Sequence, residues 1–418
     1  MRILFTLHNI ACRGGSERVV INLCNELCEI VDYEVSIVSY YTDKSAKEPY
    51  AYPINPKVNI DYLYNFYDIH TQFRGLKRII WRWIKPLVIN YRMNKAYKGY
   101  DIIIESDFAF FYPRFRIKNT KYIKIIHSII NKWKAKNRFF DCIVFLNEKE
   151  LSRWQSRGNH VVKIPNFIPT LPFEDLLAKA LQHFDSTPHK DENMQTMLYE
   201  YRKSCSDASV YTDIKTFTQA HAILKTFVES FTQQHKATHK LIAVGRMDAL
   251  NNHKGFPRLI AAYSKIATLF PNWQLEIIGE DQGQKALLEK QILALQMQDF
   301  IHLKPFTSNM ESVYLGADIF VMSSHSESLP MVLIEAASYG LPIVAYDIGT
   351  IRDCFDKNGI LVKDHDEQAF CEALCNLMNN REKRISMGHN GIKLAKNKFS
   401  KDQVVKQWLE LFQNLTHT

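Results

Sequence analysis

Ten short apolar runs, five early and five late, constrain the fold of this chain more than any other feature of its sequence. RILFTL (2–7), YEVSIVSY (33–40), YDIIIES (100–106), YIKIIHS (122–128) and DCIVFLN (141–147) come first. KLIAVGR (240–246), WQLEIIGE (273–280), FIHLKPF (300–306), ADIFVMSS (317–324) and PIVAYD (342–347) follow. Each is apolar nearly throughout instead of alternating, and stretches of helical periodicity separate them. A strand apolar on both faces must be covered on both, as in a parallel sheet layered with helices. The same grammar restarts at Lys240, so the expectation is an α/β protein with two parallel-sheet domains. The 418 residues are also too many for one ordinary core.

The first domain is expected over 1–168 and the second over 239–398. They join near VVKIPNFIPTLP (161–172), where three prolines within eight residues stiffen the backbone. Residues 171–238 read as a helical insertion with two amphipathic patterns and no strand. One is FEDLLAKALQHF (173–184); the other, 213–231, has Phe217, Leu224, Phe227, Val228 and Phe231 on one side. Residues 399–418 form a last helix, apolar on one face, expected to dock back on the first domain.

Composition, 46% hydrophobic and 23% charged, is that of a globular protein. Its charge is unevenly placed: residues 1–170 hold 27 Lys and Arg against 15 Asp and Glu, the remainder 26 against 29. The basic excess concentrates in 73–99, which has eight basic residues and no acid. There Arg74, Lys77, Arg78, Arg82 and Lys85 interleave with Trp81 and Trp83, a pattern that suits the headgroup level of an anionic bilayer. A helix packing its aromatics on its own domain is the plainer alternative, and no nucleic-acid motif accompanies the charge. The eight cysteines include no CxxC pair; Cys24/Cys28 and Cys371/Cys375 read as small apolar residues of helix faces, implying a reducing compartment. The first apolar run, Ile3 to Leu7, is too short for a signal peptide, and no uncharged stretch reaches the roughly 18 residues of a membrane span. A cytoplasmic protein, peripheral on the inner face of the membrane, is expected.

Three loops at strand ends carry candidate chemistry. In HSESLPMVLIEAASYGLP (325–342), Glu327 precedes Pro330, which suits the first turn of a helix, and Glu335 falls inside that helix among apolar residues. A helix start seats phosphate oxygens. Glu335 can accept from ligand hydroxyls further along, as an acid does for ribose in dinucleotide sites. The bland reading is two solvated carboxylates. In VGRMDALNNHKGF, Gly245, Arg246, Lys254 and Gly255 lie between a strand and a helix, where Arg and Lys can neutralise a diphosphate. In CRGGSERVV, Gly14 and Gly15 permit close approach of a ligand and Ser16 can cap the helix; the pattern is not GxGxxG.

In order and spacing these residues resemble the family-4 glycosyltransferases, retaining enzymes of the GT-B fold, with two Rossmann-like domains facing across a cleft. Gly14 to Arg18 are similar to the family's first glycine loop, His127 in IIHSII to its active-site histidine, and KIPNFIP to its interdomain turn. Arg246 with Lys254-Gly255 resembles its diphosphate pair, and Glu327 with Glu335 its E-x7-E signature. Two departures stand out: Ser328 replaces the usual glycine, and the Arg246–Lys254 loop is about three residues longer. The insertion has no counterpart in the pattern.

The resemblance implies that Glu335 binds the nucleotide ribose, that Glu327 contacts the donor sugar, and that the loop of Ser328, Leu329, Pro330 and Met331 holds sugar and phosphates through its amides, Pro330 having no N–H to donate. His127 would lie beside the donor sugar. The implied reaction moves a sugar, with retention, from a nucleotide-diphosphate sugar of UDP or GDP type to a lipid-linked saccharide acceptor in surface-polysaccharide synthesis. No cofactor or metal is implied; the one D-x-D, Asp364-His365-Asp366, reads as a helix cap. The alternatives are a non-catalytic membrane or nucleic-acid binding protein on the same scaffold, and a nucleotide-sugar hydrolase or epimerase.

Overall fold

The computed structural model describes residues 1–41, 49–64, 75–106, 111–186, 192–205, 209–232 and 239–416. The chain divides into two units, Met1–Pro169 with Lys401–Thr418, and Thr170–Ser400.

In the first unit, seven strands pair in parallel: β1 (Arg2–Leu7), β2 (Glu34–Tyr41), β3 (Asn59–Tyr64), β4 (Ile102–Ser106), β5 (Lys121–Ile126), β6 (Cys142–Phe145) and β7 (His160–Lys163). Their order is β3-β2-β1-β4-β5-β6-β7. Helices α1 (Gly15–Leu27), α2 (Gly75–Ala96) and α3 (Glu148–Trp154) lie on the connections. Helix α1 starts at Gly15, with Gly14 in the capping position, so Ser16 does not cap it: the Ser16 hydroxyl donates to Glu17 Oε2 at 2.9 Å. The buried Glu17 carboxylate folds back over Gly14 and occupies the space a Cβ there would need.

The second unit holds β8 (His239–Val244), β9 (Met247–Asp248), β10 (Trp273–Ile278), β11 (Asp281–Gln282), β12 (Ile301–Lys304), β13 (Ile319–Met322), β14 (Ile343–Asp347) and β15 (Gly359–Lys363). Six form a parallel sheet ordered β12-β10-β8-β13-β14-β15, and β9 pairs with β11. The insertion opens this unit with three helices, α4 (Pro172–Ser186), α5 (Glu192–Cys205) and α6 (Ile214–Thr232). The unexpected one is α5, whose apolar stripe is narrow, with Met194, Leu198 and Tyr201 buried. Then come α7 (Phe256–Ser264), α8 (Lys285–Ala294), α9 (Met310–Leu315), α10 (Met331–Ser338), α11 (Glu367–Asn379) and α12 (Arg381–Phe399). Helix α13 (Lys401–Thr416) leaves this unit, packs on α1 and pairs Lys401 with Glu26 at 3.4 Å.

Both sheets are Rossmann-like, and each reverses strand order next to its first strand: between β1 and β4, and between β8 and β13. Ligands of open α/β sheets bind outside the carboxyl ends of the strands at such a reversal. The sequence motifs follow those ends.

Candidate functional site

In the second unit the two strands flanking the reversal deliver the two halves of one cluster. After β8, Gly245 leaves room for Lys254: a Cβ at Gly245 would stand 2.7 Å from the Lys254 Cε. Lys254 thus crosses the strand end, and its Nζ donates to Glu327 Oε1 at 2.7 Å from the loop after β13. Ser324 Oγ donates to the same oxygen at 3.0 Å, and Thr350 Oγ1 donates to the Glu327 carbonyl at 2.5 Å. Gly255 has φ +63 and starts α7, a conformation costly for other residues. Arg246 is exposed on the same edge. The longer loop between Arg246 and Lys254 is organised by Asp248, which accepts from the Leu250 and Asn251 amides and the Asn251 side chain. Those bonds, the Asn251 side chain first, hold the Asp248 carboxyl below its ordinary range, with Arg246 adding to the effect.

The loop 323–330 leads into α10. Pro330 is not the first helical residue but the one before it: its ψ of 122° is extended, and Met331 begins the helix. Leu329 and Met331 are buried, while Ser328 is half-buried. Glu335, 8% exposed, accepts from the Tyr314 hydroxyl at 2.7 Å through Oε2.

Sequence reasoning passed over Arg258, in the first turn of α7. Its Nε donates to the Ser323 carbonyl at 2.6 Å, its Nη2 to the Ser324 carbonyl at 2.6 Å and its Nη1 to Asp364 at 2.7 Å. The guanidinium also lies over the Tyr346 ring. A planar fork is the side chain that can hold two successive carbonyls and a carboxylate at once. Burial alone would raise the Asp364 carboxyl; the hydrogen bond and charge of Arg258 bring it below its usual value. Asp366 caps α11 through the Ala369 amide. Both carboxylates of the D-x-D are therefore engaged by the fold, and no metal-holding group of three or more His, Cys, Asp or Glu occurs among the described residues. An arginine within the otherwise apolar FPRLIAAY was the available signal; nothing comparable marked Tyr314.

In the first unit, His127 follows the last residue of β5, and its Nε2 lies 3.3 Å from Ser106 Oγ at the end of β4. Gly14 and Gly15 follow β1, and Tyr52 donates to the Gly14 carbonyl at 3.1 Å. Behind this edge Glu105 is fully buried and accepts from Thr6 Oγ1 at 2.7 Å and Tyr40 at 2.5 Å. Burial raises its carboxyl to about 7, against the pull of those two hydroxyls.

Helix α2 exposes Leu76, Ile79, Ile80, Trp83 and Ile84 on one stripe, with Lys77 and Arg78 also exposed. Trp81 is half-buried. Lys85 is a correction: expected on the outer surface, it is 1% exposed. It shares the inward i, i+4 row with Ile89 and Met93, and its ammonium lies 5.2 Å from the centre of the Tyr41 ring. Arg74 and the side chain of Arg82 fall outside the described residues. No helix among the described residues is long and apolar enough to cross a membrane.

The family of glycosyl transferases group 1 matches residues 228–394. The chain has the GT-B fold, and glycosyltransferase is the class the match supports. An uncharacterized glycosyltransferase of Haemophilus influenzae is 23% identical over 427 residues, spanning 97% of this chain and 98% of its own. The capsular polysaccharide biosynthesis glycosyltransferase CapM of Staphylococcus aureus is 28% identical over 182 residues, 43% of this chain and 48% of that one. The chain thus spans about half of that second relative's length. Among solved structures, Staphylococcus aureus TarM, in complex with UDP and other ligands, superimposes with a TM-score of 0.68 at 14% identity, covering 98% of this chain and 99% of its own.

Proposed function

We propose that this chain is a retaining glycosyltransferase of family-4 type that takes a sugar from a nucleoside diphosphate sugar and places it on a hydroxyl of a lipid-linked saccharide in surface-polysaccharide synthesis. The observation that carries the reading is the Lys254–Glu327 pair at the β8/β13 reversal, with Glu335 buried in α10, the helix that the Glu327 loop leads into. The relative named for capsular polysaccharide biosynthesis supports a role in surface-polysaccharide synthesis, and the neighbour solved with UDP supports a nucleotide donor.

In this reading the Glu335 carboxylate takes the ribose hydroxyls, and the first turn of α10 faces the phosphates with its free amides. Glu327 orients the donor sugar. The bond between the anomeric carbon and the phosphate oxygen breaks, and its electron pair leaves with the diphosphate. Arg246 and Lys254 neutralise the charge that develops there, an interaction stronger in the transition state than in the ground state. The acceptor hydroxyl bonds to the same face of the anomeric carbon, and its proton passes to a phosphate oxygen of the leaving group. No step calls on a metal or cofactor. The part assigned to His127, whose ring lies 3.3 Å from Ser106, rests on the resemblance to the family's active-site histidine. The α2 stripe, apolar residues flanked by cations, rests on the anionic inner membrane surface and brings the enzyme to its acceptor.

The test is product formation from UDP- and GDP-sugars with and without a lipid-linked saccharide acceptor. Acceptor-dependent transfer with retained anomeric configuration is expected. Nucleotide release equally fast without acceptor identifies a hydrolase, and an epimerised nucleotide sugar formed without net nucleotide release identifies an epimerase; either overturns the reading.

A further inference from the structure

The insertion α4–α6 meets the rest of its unit at the two residues that fix helix α10. One is Gly340, which ends α10 with φ +75. Phe217 of α6, fully buried, closes over it: a Cβ at Gly340 would lie 3.1 Å from the Phe217 Cζ. Gly388 of α12 packs against the Gly340 carbonyl so closely that it too has no room for a Cβ, and Phe217 stacks on the neighbouring His389 at 5.3 Å. The other is Tyr314 of α9, 1% exposed, on which α6 packs. A small cavity at this seam is lined by Phe173, His221, Leu224 and Lys225 of the insertion and by Tyr314 and Tyr339. Lys225 ties the seam to the sheet through Asp318, the residue before β13, at 2.8 Å. Tyr314 itself stacks on Tyr339 at 5.0 Å with nearly parallel rings, and its hydroxyl donates to Glu335 Oε2.

We infer that Tyr314 is a positioning residue for Glu335 and that the insertion exists in part to hold it: α4–α6 brace the carboxylate that receives the nucleotide. The inference rests on the reading of Glu335 as the ribose ligand. A glutamate has several rotamers of similar energy, and a buried hydroxyl donating to one oxygen selects among them before the ligand arrives. Affinity then gains because less freedom is lost on binding. The phenol ring is in turn fixed by stacking on Tyr339 and by the seam with α6, which makes nucleotide binding in this unit sensitive to residues of α4–α6 that touch no ligand.

The experiment measures dissociation constants by calorimetry for UDP and GDP and for the 2′,3′-dideoxy forms of both, on wild type, Tyr314→Phe and Phe217→Leu, each checked for native circular dichroism. Tyr314→Phe keeps the ring and removes only the hydroxyl. The wild type is expected to prefer the parent nucleotide over its dideoxy form. Tyr314→Phe is expected to weaken the parent about tenfold while leaving the dideoxy form within about twofold, and Phe217→Leu to act in the same sense more weakly. An unchanged parent affinity in Tyr314→Phe, with the wild-type preference for ribose intact, overturns the positioning role alone. Equal weakening of both forms reduces Tyr314 to general packing and also overturns it. A wild type that does not discriminate the two forms, or binds neither nucleotide, removes the reading of Glu335 and the inference with it.

Discussion

Lys254 and Glu327 stand 73 positions apart in the chain, yet their side chains meet at 2.7 Å where β8 and β13 end. Both are largely buried, and the glutamate is also held by Ser324 and, through its carbonyl, by Thr350. A pair so constrained keeps its ammonium at the strand ends, where the departing diphosphate is proposed to lie. Replacing Lys254 by Met is expected to lower kcat about a hundredfold or more with a much smaller rise in donor KM, because the charge it meets appears mainly in the transition state. Steady-state kinetics decides; a rise in KM alone makes Lys254 a ground-state binder.

Arg258 is expected to matter although it touches no proposed substrate. Arg258→Lys cannot span two carbonyls and a carboxylate. It should cost about 1 to 3 kcal/mol of stability by leaving a buried acceptor poorly satisfied, and should raise donor KM more than it lowers kcat. Asp364→Asn, which keeps an oxygen toward Nη1, should do less on both counts. Denaturant titration together with kinetics checks this, and equal KM in wild type and Arg258→Lys contradicts it.

The pH dependence of stability should carry the mark of Glu105. Its carboxyl is raised from 4.5 to about 7 by burial, so the folded chain binds this proton more tightly than the unfolded one. Stability from this group is therefore full below about pH 4.5 and is lost as pH rises toward 7. Glu105→Gln keeps an oxygen for Thr6 and Tyr40 without the charge. Relative to wild type it should gain up to roughly 3 kcal/mol between pH 5 and pH 8. Thermal unfolding at both pH values measures the gap, and a gap that does not widen with pH opposes the assignment.

On α2, Leu76→Glu with Trp83→Glu should abolish flotation with anionic vesicles and leave stability nearly unchanged, since both side chains are more than 70% exposed. Lys85→Glu should destabilise the first unit instead, because its stem and ammonium pack inward against Tyr41. Equal flotation of wild type with anionic and neutral vesicles counts against the membrane face.

The sequence was legible where a physical constraint leaves a one-dimensional trace. All ten expected strands occur: nine lie inside a sheet, where burial on both faces makes a parallel strand apolar throughout, and the tenth, β12, is an edge. The three main-sheet strands that went unread, β3, β7 and β15, are all sheet edges. With a neighbour on one side only, they keep polar or half-exposed positions, as in the pattern of NIDYLY. Lys85 misled because composition does not say which face of a helix a basic residue shares, and here the stem and the ammonium are both buried. The glutamates and Lys254 announce themselves through spacing and neighbouring glycines. Arg258 and Tyr314 do not: their roles arise from contacts 65 and 21 positions away that only the fold creates.

The central claim is that Glu335 and the loop before it receive a nucleoside diphosphate. The most direct measurement is the thermal stability of wild type and Glu335→Ala against UDP, GDP, ADP and CMP and their sugars. A ligand at about one hundred times its dissociation constant adds about 2.7 kcal/mol. The account expects selective stabilisation by UDP or GDP and their sugars, sharply reduced in Glu335→Ala. No stabilisation of folded wild type by any nucleotide, or an equal shift in wild type and variant, would contradict it.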